Sequence, residues 1–338
     1  MLRRHFLRYT AATAALGAAA CKTPTATAAL TQGDQQVKPA KLERGDKVML
    51  ICPGGPISPE RLQKATDNLT KLGYTVTQGE NVLAKYGFVA GTDEERLADL
   101  HTAFRDPSVK AVWPVRGGYG CTRLLPKIDF ELIRANPKLL IGYSDITALL
   151  MAFYQKLGLV GVHGPLGSST FSPFNERNLV PVITQVKAGH SIDLPPEGIK
   201  LVNGKAKGIL VGGNLSLLAA MAGTPWSLDA TDKLVFLEDV GESPYRIDRM
   251  LTQLRQSANL DRAKGIILGE FVDCEADPED NSLSLRETLE DRLKELGLPT
   301  ISGLPFGHGE ANCALPVGIM AELDADTGRL TFLESTVS

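Results

Sequence analysis

The chain has 338 residues, 43% hydrophobic and 22% charged, with a net charge of −3. That balance describes a globular protein long enough for two domains, and it argues against nucleic acid or an anionic membrane as the main partner. After residue 30 no apolar run is long enough to span a bilayer.

The first thirty residues are set apart. Met1-Leu-Arg-Arg-His-Phe-Leu-Arg-Tyr9 is basic, and Thr10 to Ala20 is short, weakly apolar and rich in alanine. This is the pattern of an export signal. Arg3-Arg4 followed by Phe6-Leu7 resembles the twin-arginine type. Cys21, after three alanines, is a candidate lipid-attachment site, and plain cleavage after Ala18-Ala-Ala20 is its rival. Residues 31–44 then read as a linker, continuing a stretch rich in Thr, Ala, Gln and Pro. The expectation is an exported, periplasmic protein that meets a membrane only through a lipid on Cys21.

Residues 45–170 alternate strand and helix. Lys47–Cys52 is an apolar strand ending in Pro53-Gly-Gly-Pro56. Ser58-Pro59-Glu60 opens a helix with Leu62, Ala65, Leu69 and Leu72 on one face, stopped by Gly73. Tyr74–Thr77 is strand-like, and Thr92-Asp-Glu-Glu95 is a capping box whose helix continues through Leu97, Leu100 and Phe104. Val109–Val115 is a further strand ending in Arg116-Gly-Gly-Tyr-Gly120. Lys138–Ile141 runs through the turn Gly142-Tyr-Ser-Asp145 into an apolar helix that ends at Gly158. Repeated units of this kind predict a parallel sheet with helices on both faces.

Residues 171–206 read as an inter-domain connection. Residues 207–338 restart with strands at Gly208–Val211, Lys233–Leu237, Gly265–Gly269 and Ala314–Ala321, helices at 244–257 and 284–296, and a hairpin turn at Asp326-Thr-Gly328. The fold class expected is α/β with two domains.

Five cysteines, Cys21, Cys52, Cys121, Cys274 and Cys313, show no Cys-x-x-Cys spacing, so a zinc site is not indicated, and buried free thiols are the favoured reading. The acidic loop Glu275–Asp280 lacks the spacing of a calcium loop and reads as solvated.

Ligands of open α/β sheets sit beyond the carboxyl ends of strands, and four groups occupy such places: Arg116-Gly117-Gly118, Ser144, Glu238 and His308. Ser144 stands where a strand turns into a helix, so unpaired N–H groups and the helix dipole face any oxyanion formed there. From that segment alone, an N-cap formed by Ser144 or Asp145 is the favoured reading. A serine nucleophile needs a base, and a histidine base needs a partner that fixes its tautomer. His308 and His163 are the rival bases. Glu238 has Asp239 and Glu242 beside it, and spacing does not choose among the three. Arg246 and Arg249 can fork onto a carboxylate, or merely pair with Asp248 or Glu242 on an exposed helix face.

Together, Arg116-Gly-Gly-Tyr-Gly120, Gly142-Tyr-Ser-Asp-Ile-Thr147, His163-Gly-Pro165, Gly212-Gly-Asn214, Phe236-Leu-Glu-Asp239, Pro244-Tyr-Arg-Ile-Asp-Arg249 and Pro305-Phe-Gly-His-Gly309 resemble the LD-carboxypeptidase family of serine peptidases, which includes the microcin C immunity proteins. The resemblance implies a flavodoxin-like N-terminal domain, a smaller C-terminal α/β domain and an active site in the cleft between them. It implies Ser144 as nucleophile, His308 as base and Glu238 as its orienting partner, with the N–H groups of Gly118 and Asp145 as oxyanion hole. Arg116, Tyr143, His163, Asn214 and Arg246 are then expected to border the substrate, with His163 a wall of the site and Arg246 a candidate anchor for a terminal carboxylate.

No cofactor or metal is implied, and family members are commonly homodimers. The implied reaction is hydrolysis of the bond between an L-centre and the terminal D-alanine of murein stem tetrapeptide. The alternatives are a microcin-immunity peptidase and an envelope protein that binds murein peptides without cleaving them.

Overall fold

The computed structural model describes residues 36–279 and 281–338. The export signal, Cys21 and Asp280 of the acidic loop lie outside the described residues.

Each boundary in the first half has a local cause. β1 (Lys47–Ile51) buries every side chain from Val48 on. α1 (Pro59–Lys71) begins at Ser58, whose hydroxyl accepts the Arg61 N–H at 3.3 Å, and it buries Leu62, Ala65 and Leu69 on one face. After β2 (Thr75–Gln78), α2 (Asp93–Arg105) opens with the capping box of Thr92 and Glu95, each side chain bonding the other's backbone N–H. β3 (Val109–Pro114), α3 (Cys121–Leu124), α4 (Phe130–Ala135), β4 (Leu139–Leu140) and α5 (Thr147–Leu157) follow. The four strands are parallel in the order β2-β1-β3-β4, with helices in the connections, so all their carboxyl ends face one edge.

The second half contains β5 (Gly161–His163), α6 (Pro173–Thr184), β6 (Ser191–Asp193), β7 (Ile199–Val202), β8 (Lys205–Asn214), α7 (Leu215–Met221), β9 (Lys233–Val240) and α8 (Pro244–Ser257). β10 (Gly265–Val272), α9 (Leu285–Lys294), β11 (Thr300–Ser302), β12 (Leu315–Val317), β13 (Met320–Asp324) and β14 (Arg329–Phe332) complete it. Eight of these strands form a mixed sheet ordered β6-β14-β13-β8-β9-β10-β11-β7, whose centre, β8 to β11, is parallel.

Two expectations need correction. The segment 171–206 is more than a connection, because it contributes α6 and both edge strands, β6 and β7, of the eight-stranded sheet. The apolar run Ala314–Ala321 is not one strand. It breaks at Gly318, which takes φ +98°, a conformation open to glycine. The part before the break, β12, pairs antiparallel with β5, and the part after it, β13, joins the large sheet.

The described residues belong to one compact unit. The start of α5 meets the end of β8, where the Asn214 N–H donates to Thr147 Oγ1 at 3.0 Å. The β5–β12 ladder is a second junction. Both bring the second half of the chain to within a few residues of Ser144.

Candidate active site

Ser144 is held in a strained turn. The Gly142 N–H donates to Val162 O at 3.0 Å, and Ser144 takes φ +62°, left-handed backbone that costs a non-glycine residue on the order of 1–3 kcal/mol. A 3₁₀ turn, Ser144–Ile146, then feeds α5, and no side chain caps either helical start. The N-cap reading is therefore excluded for both Ser144 and Asp145. The buried Asp145 carboxylate turns instead to the glycine-rich loop and accepts the Cys121 N–H at 2.9 Å. Burial pushes the pKa of that carboxyl up, and the donors from Cys121 and Gly120 oppose the shift.

The loop Arg116–Gly120 passes against the serine. A Cβ built on Gly117 lies 2.9 Å from Ser144 Cβ and 3.0 Å from Ser144 Oγ, so only glycine permits this approach. Gly118 has φ +97°, and its neighbour Gly117 accepts the Gly55 N–H at 2.8 Å. Among the described residues neither the Gly118 nor the Asp145 N–H has a hydrogen-bond acceptor.

The base side of the site comes from the large sheet. Glu238, near the end of β9 and fully buried, places Oε2 2.7 Å from His308 Nδ1. Gly307 makes room for this pair, since a Cβ there lies 2.8 Å from Glu238 Oε2. Burial raises the Glu238 pKa, and the bond to His308 opposes it.

Alternation along the strand separates the acidic neighbours that the sequence left open. Asp239 points the other way and accepts from Asn214 Nδ2 at 3.0 Å, Ser216 N–H at 2.9 Å and Ser216 Oγ at 2.7 Å. Glu242 lies 3.5 Å from Arg246. Of the three, only Glu238 reaches a histidine.

His163 has no carboxylate partner. Its ring is fully buried among Phe236, Phe306 and Tyr143, with centroids at 5.3, 5.9 and 5.9 Å. Burial, with His308 nearby, pushes its pKa down to about 3, so it stays neutral. Tyr143, the residue before Ser144, stands edge-on to His308 with ring centroids 4.9 Å apart. A cavity of about 540 Å³ opens at these two rings, lined further by Ser169, Thr170, Asn175 and Glu310.

The remaining sequence candidates are occupied by scaffold contacts. Arg116 Nη1 donates to Pro56 O at 2.9 Å. Asn214 caps α7 by accepting the Leu217 N–H at 3.1 Å, besides its bond to Asp239. Arg246 is exposed and pairs locally, with Glu242 and with Tyr245 OH at 3.0 Å, so the exposed-face reading describes its contacts. Arg249 lies over the Tyr245 ring. Cys52, Cys121, Cys274 and Cys313 are buried free thiols. Among the described residues no cluster of His, Cys, Asp and Glu is arranged to hold a metal, and no helix is long and apolar enough to cross a membrane.

The family model for the LD-carboxypeptidase N-terminal domain matches residues 48–164, and that for the LD-carboxypeptidase C-terminal domain matches residues 207–323. The chain belongs to the LD-carboxypeptidase family. A probable murein peptide carboxypeptidase of Bacillus subtilis is 42% identical over 292 residues, 85% of this chain and 91% of that protein. The crystal structure of muramoyltetrapeptide carboxypeptidase from Oxalobacter formigenes superposes with TM-score 0.75 at 34% identity, covering 84% of this chain and 97% of that one. A MccF-like protein from Bacillus anthracis superposes with TM-score 0.79 at 31% identity, covering 88% and 99%.

Sequence reasoning missed one residue that shapes the site of this LD-carboxypeptidase. Arg96 is fully buried and donates to Gly120 O at 3.0 Å and to Pro53 O, while Asp93 takes its other end at 2.6 Å. It therefore ties the loop after β1 to the loop after β3. The signal was present: Arg96 lies four and eight positions before Leu100 and Phe104, on the apolar face of α2. An arginine in that stripe implies buried acceptors.

Proposed function

We propose that this LD-carboxypeptidase releases the terminal D-alanine of murein tetrapeptide by serine catalysis. The observation that carries the reading is the buried Glu238–His308 bond of 2.7 Å, with the His308 ring packed on Tyr143, the residue before a serine held in a strained strand-to-helix turn. The names of the Bacillus subtilis and Oxalobacter formigenes relatives support the substrate.

In this reading His308 takes the proton of Ser144 as the hydroxyl attacks the carbonyl of the L-centre. Glu238, bonded to Nδ1, leaves Nε2 as the basic nitrogen and stabilises the imidazolium. The N–H groups of Gly118 and Asp145 receive the oxyanion. His308 then protonates the departing D-alanine, and water hydrolyses the acyl-enzyme along the reverse proton path. The polar cavity at Tyr143 and His308 accommodates the peptide stem.

The family also holds a microcin C7 self-immunity protein whose solved structures bind glutamyl sulfamoyl guanosine and aspartyl sulfamoyl adenosine, so an acyl-sulfamoyl nucleotide is the second substrate class for the same machinery. Mass spectrometry of products separates the readings. Tetrapeptide that loses one alanine supports the first, and cleavage of the nucleotide conjugate alone supports the second. Binding of tetrapeptide without cleavage supports a murein-peptide-binding protein.

The basic, twin-arginine-like start supports export to the periplasm, and Cys21 supplies a site for a lipid anchor. Cell fractionation with and without Cys21→Ser tests both. A homodimer rests on the family resemblance, and light scattering of the mature protein tests it.

A further inference from the structure

We propose that His163 is a positioning residue of the catalytic triad, a neutral ring that locks the segments carrying Ser144, Glu238 and His308 against one another. The inference rests on the triad assigned above and adds to it a residue that touches none of the reacting atoms.

Three contacts carry the argument. The ring of His163 packs against Tyr143, which immediately precedes Ser144. It packs against Phe236, two residues before Glu238 on β9 and so on the same face of the strand. It also packs against Phe306, two residues before His308. Phe236 and Phe306 touch each other at 5.7 Å, and Tyr143 stands edge-on to His308 at 4.9 Å. The backbone repeats the pattern. On one side of His163 the carbonyl of Val162 accepts the Gly142 N–H, and His163 itself pairs with Leu315 of β12.

The choice of an imidazole is informative. Among the described residues neither of its ring nitrogens has a hydrogen-bond partner, although both are buried. A phenyl ring would fill the cage without polar atoms, but with a larger volume. A five-membered ring is smaller, and it sets how far Tyr143 stands from Phe306 and hence how Tyr143 meets His308. Burial keeps it uncharged, so it adds no positive charge that would lower the basicity of His308.

The test measures kcat, KM and the thermal midpoint of His163→Phe on murein tetrapeptide, with Ser144→Ala in parallel. A shift of the base relative to the nucleophile by a fraction of an ångström is expected to lower kcat by about 10–100-fold, with KM little changed and the protein still fully folded at the assay temperature. A kcat within about threefold of wild type would overturn the inference. So would a loss of kcat matched by an equal loss of folded protein at the assay temperature.

Ring ¹⁵N spectra of Ser144→Ala, with and without tetrapeptide, test the coupling without altering His163. The His163 signals are expected to move together with those of His308, and movement of His308 alone overturns the inference. Continued alanine release by Ser144→Ala refutes the triad itself, an outcome distinct from failure of the His163 variant.

Discussion

Glu238 Oε2 lies 2.7 Å from His308 Nδ1, and the carboxylate is fully buried whereas the imidazole keeps some contact with solvent. A buried carboxylate with one strong partner fixes the orientation of a ring whose other nitrogen stays free to exchange protons. Glu238 comes from a central parallel strand of the large sheet and His308 from the segment between β11 and β12. Their geometry therefore depends on the packing of that sheet.

Glu238→Gln keeps the shape of the pair and removes its charge, so the wrong tautomer and a less stable imidazolium follow. We expect kcat to fall by about 10²–10⁴-fold with little change in KM. Steady-state kinetics of alanine release checks it, and a loss of less than about fivefold would remove Glu238 from the mechanism.

Gly117→Ala places a methyl group 3.0 Å from Ser144 Oγ on backbone of ordinary φ. The crowding falls on the nucleophile, and the expected result is a fall in kcat of roughly 10–100-fold with a near-normal melting temperature. Paired kinetic and thermal measurements separate this from general unfolding.

Arg96→Met leaves Pro53 O without its donor and takes one of two donors from Gly120 O and from the Asp93 carboxylate, both of which Arg123 still contacts. A buried acceptor left without a donor costs about 1–3 kcal/mol, and denaturant unfolding measures it. Activity should also fall, because Arg96 sets the loop that carries Gly118.

His163 makes stability depend on pH. Its folded pKa of about 3 lies below the ordinary 6.5, so between those values the unfolded chain binds more protons than the folded one. Stability is thus lost as pH falls through that window, by up to about 1.4 kcal/mol per pH unit. Wild type should lose more stability than His163→Phe between pH 6.5 and 4. Parallel pH slopes in thermal melts of the two proteins would contradict this.

Much of this was legible in the sequence, for physical reasons. The Thr92 capping box, the Ser58 cap and the alternation of strands with amphipathic helices are local signals, and local signals survive folding. The split of Ala314–Ala321 was not legible, because an apolar run does not say which sheet each half will join. The edge strands within 171–206 are short and half-exposed, and they exist by pairing with β14 and β11. From its own segment Ser144 read more readily as a cap, a reading that its positive φ and missing cap bond exclude. For Arg246 the sequence left a carboxylate anchor and a local pair with Glu242 both open, and the contacts are the local ones, to Glu242 and Tyr245.

The most direct test of the account is D-alanine release from murein tetrapeptide by wild type and by Ser144→Ala under identical conditions. One D-alanine per tetrapeptide is expected from wild type, and a rate at least about 10³-fold lower from the variant. Equal rates from the two proteins would contradict it, because the nucleophile would then lie elsewhere.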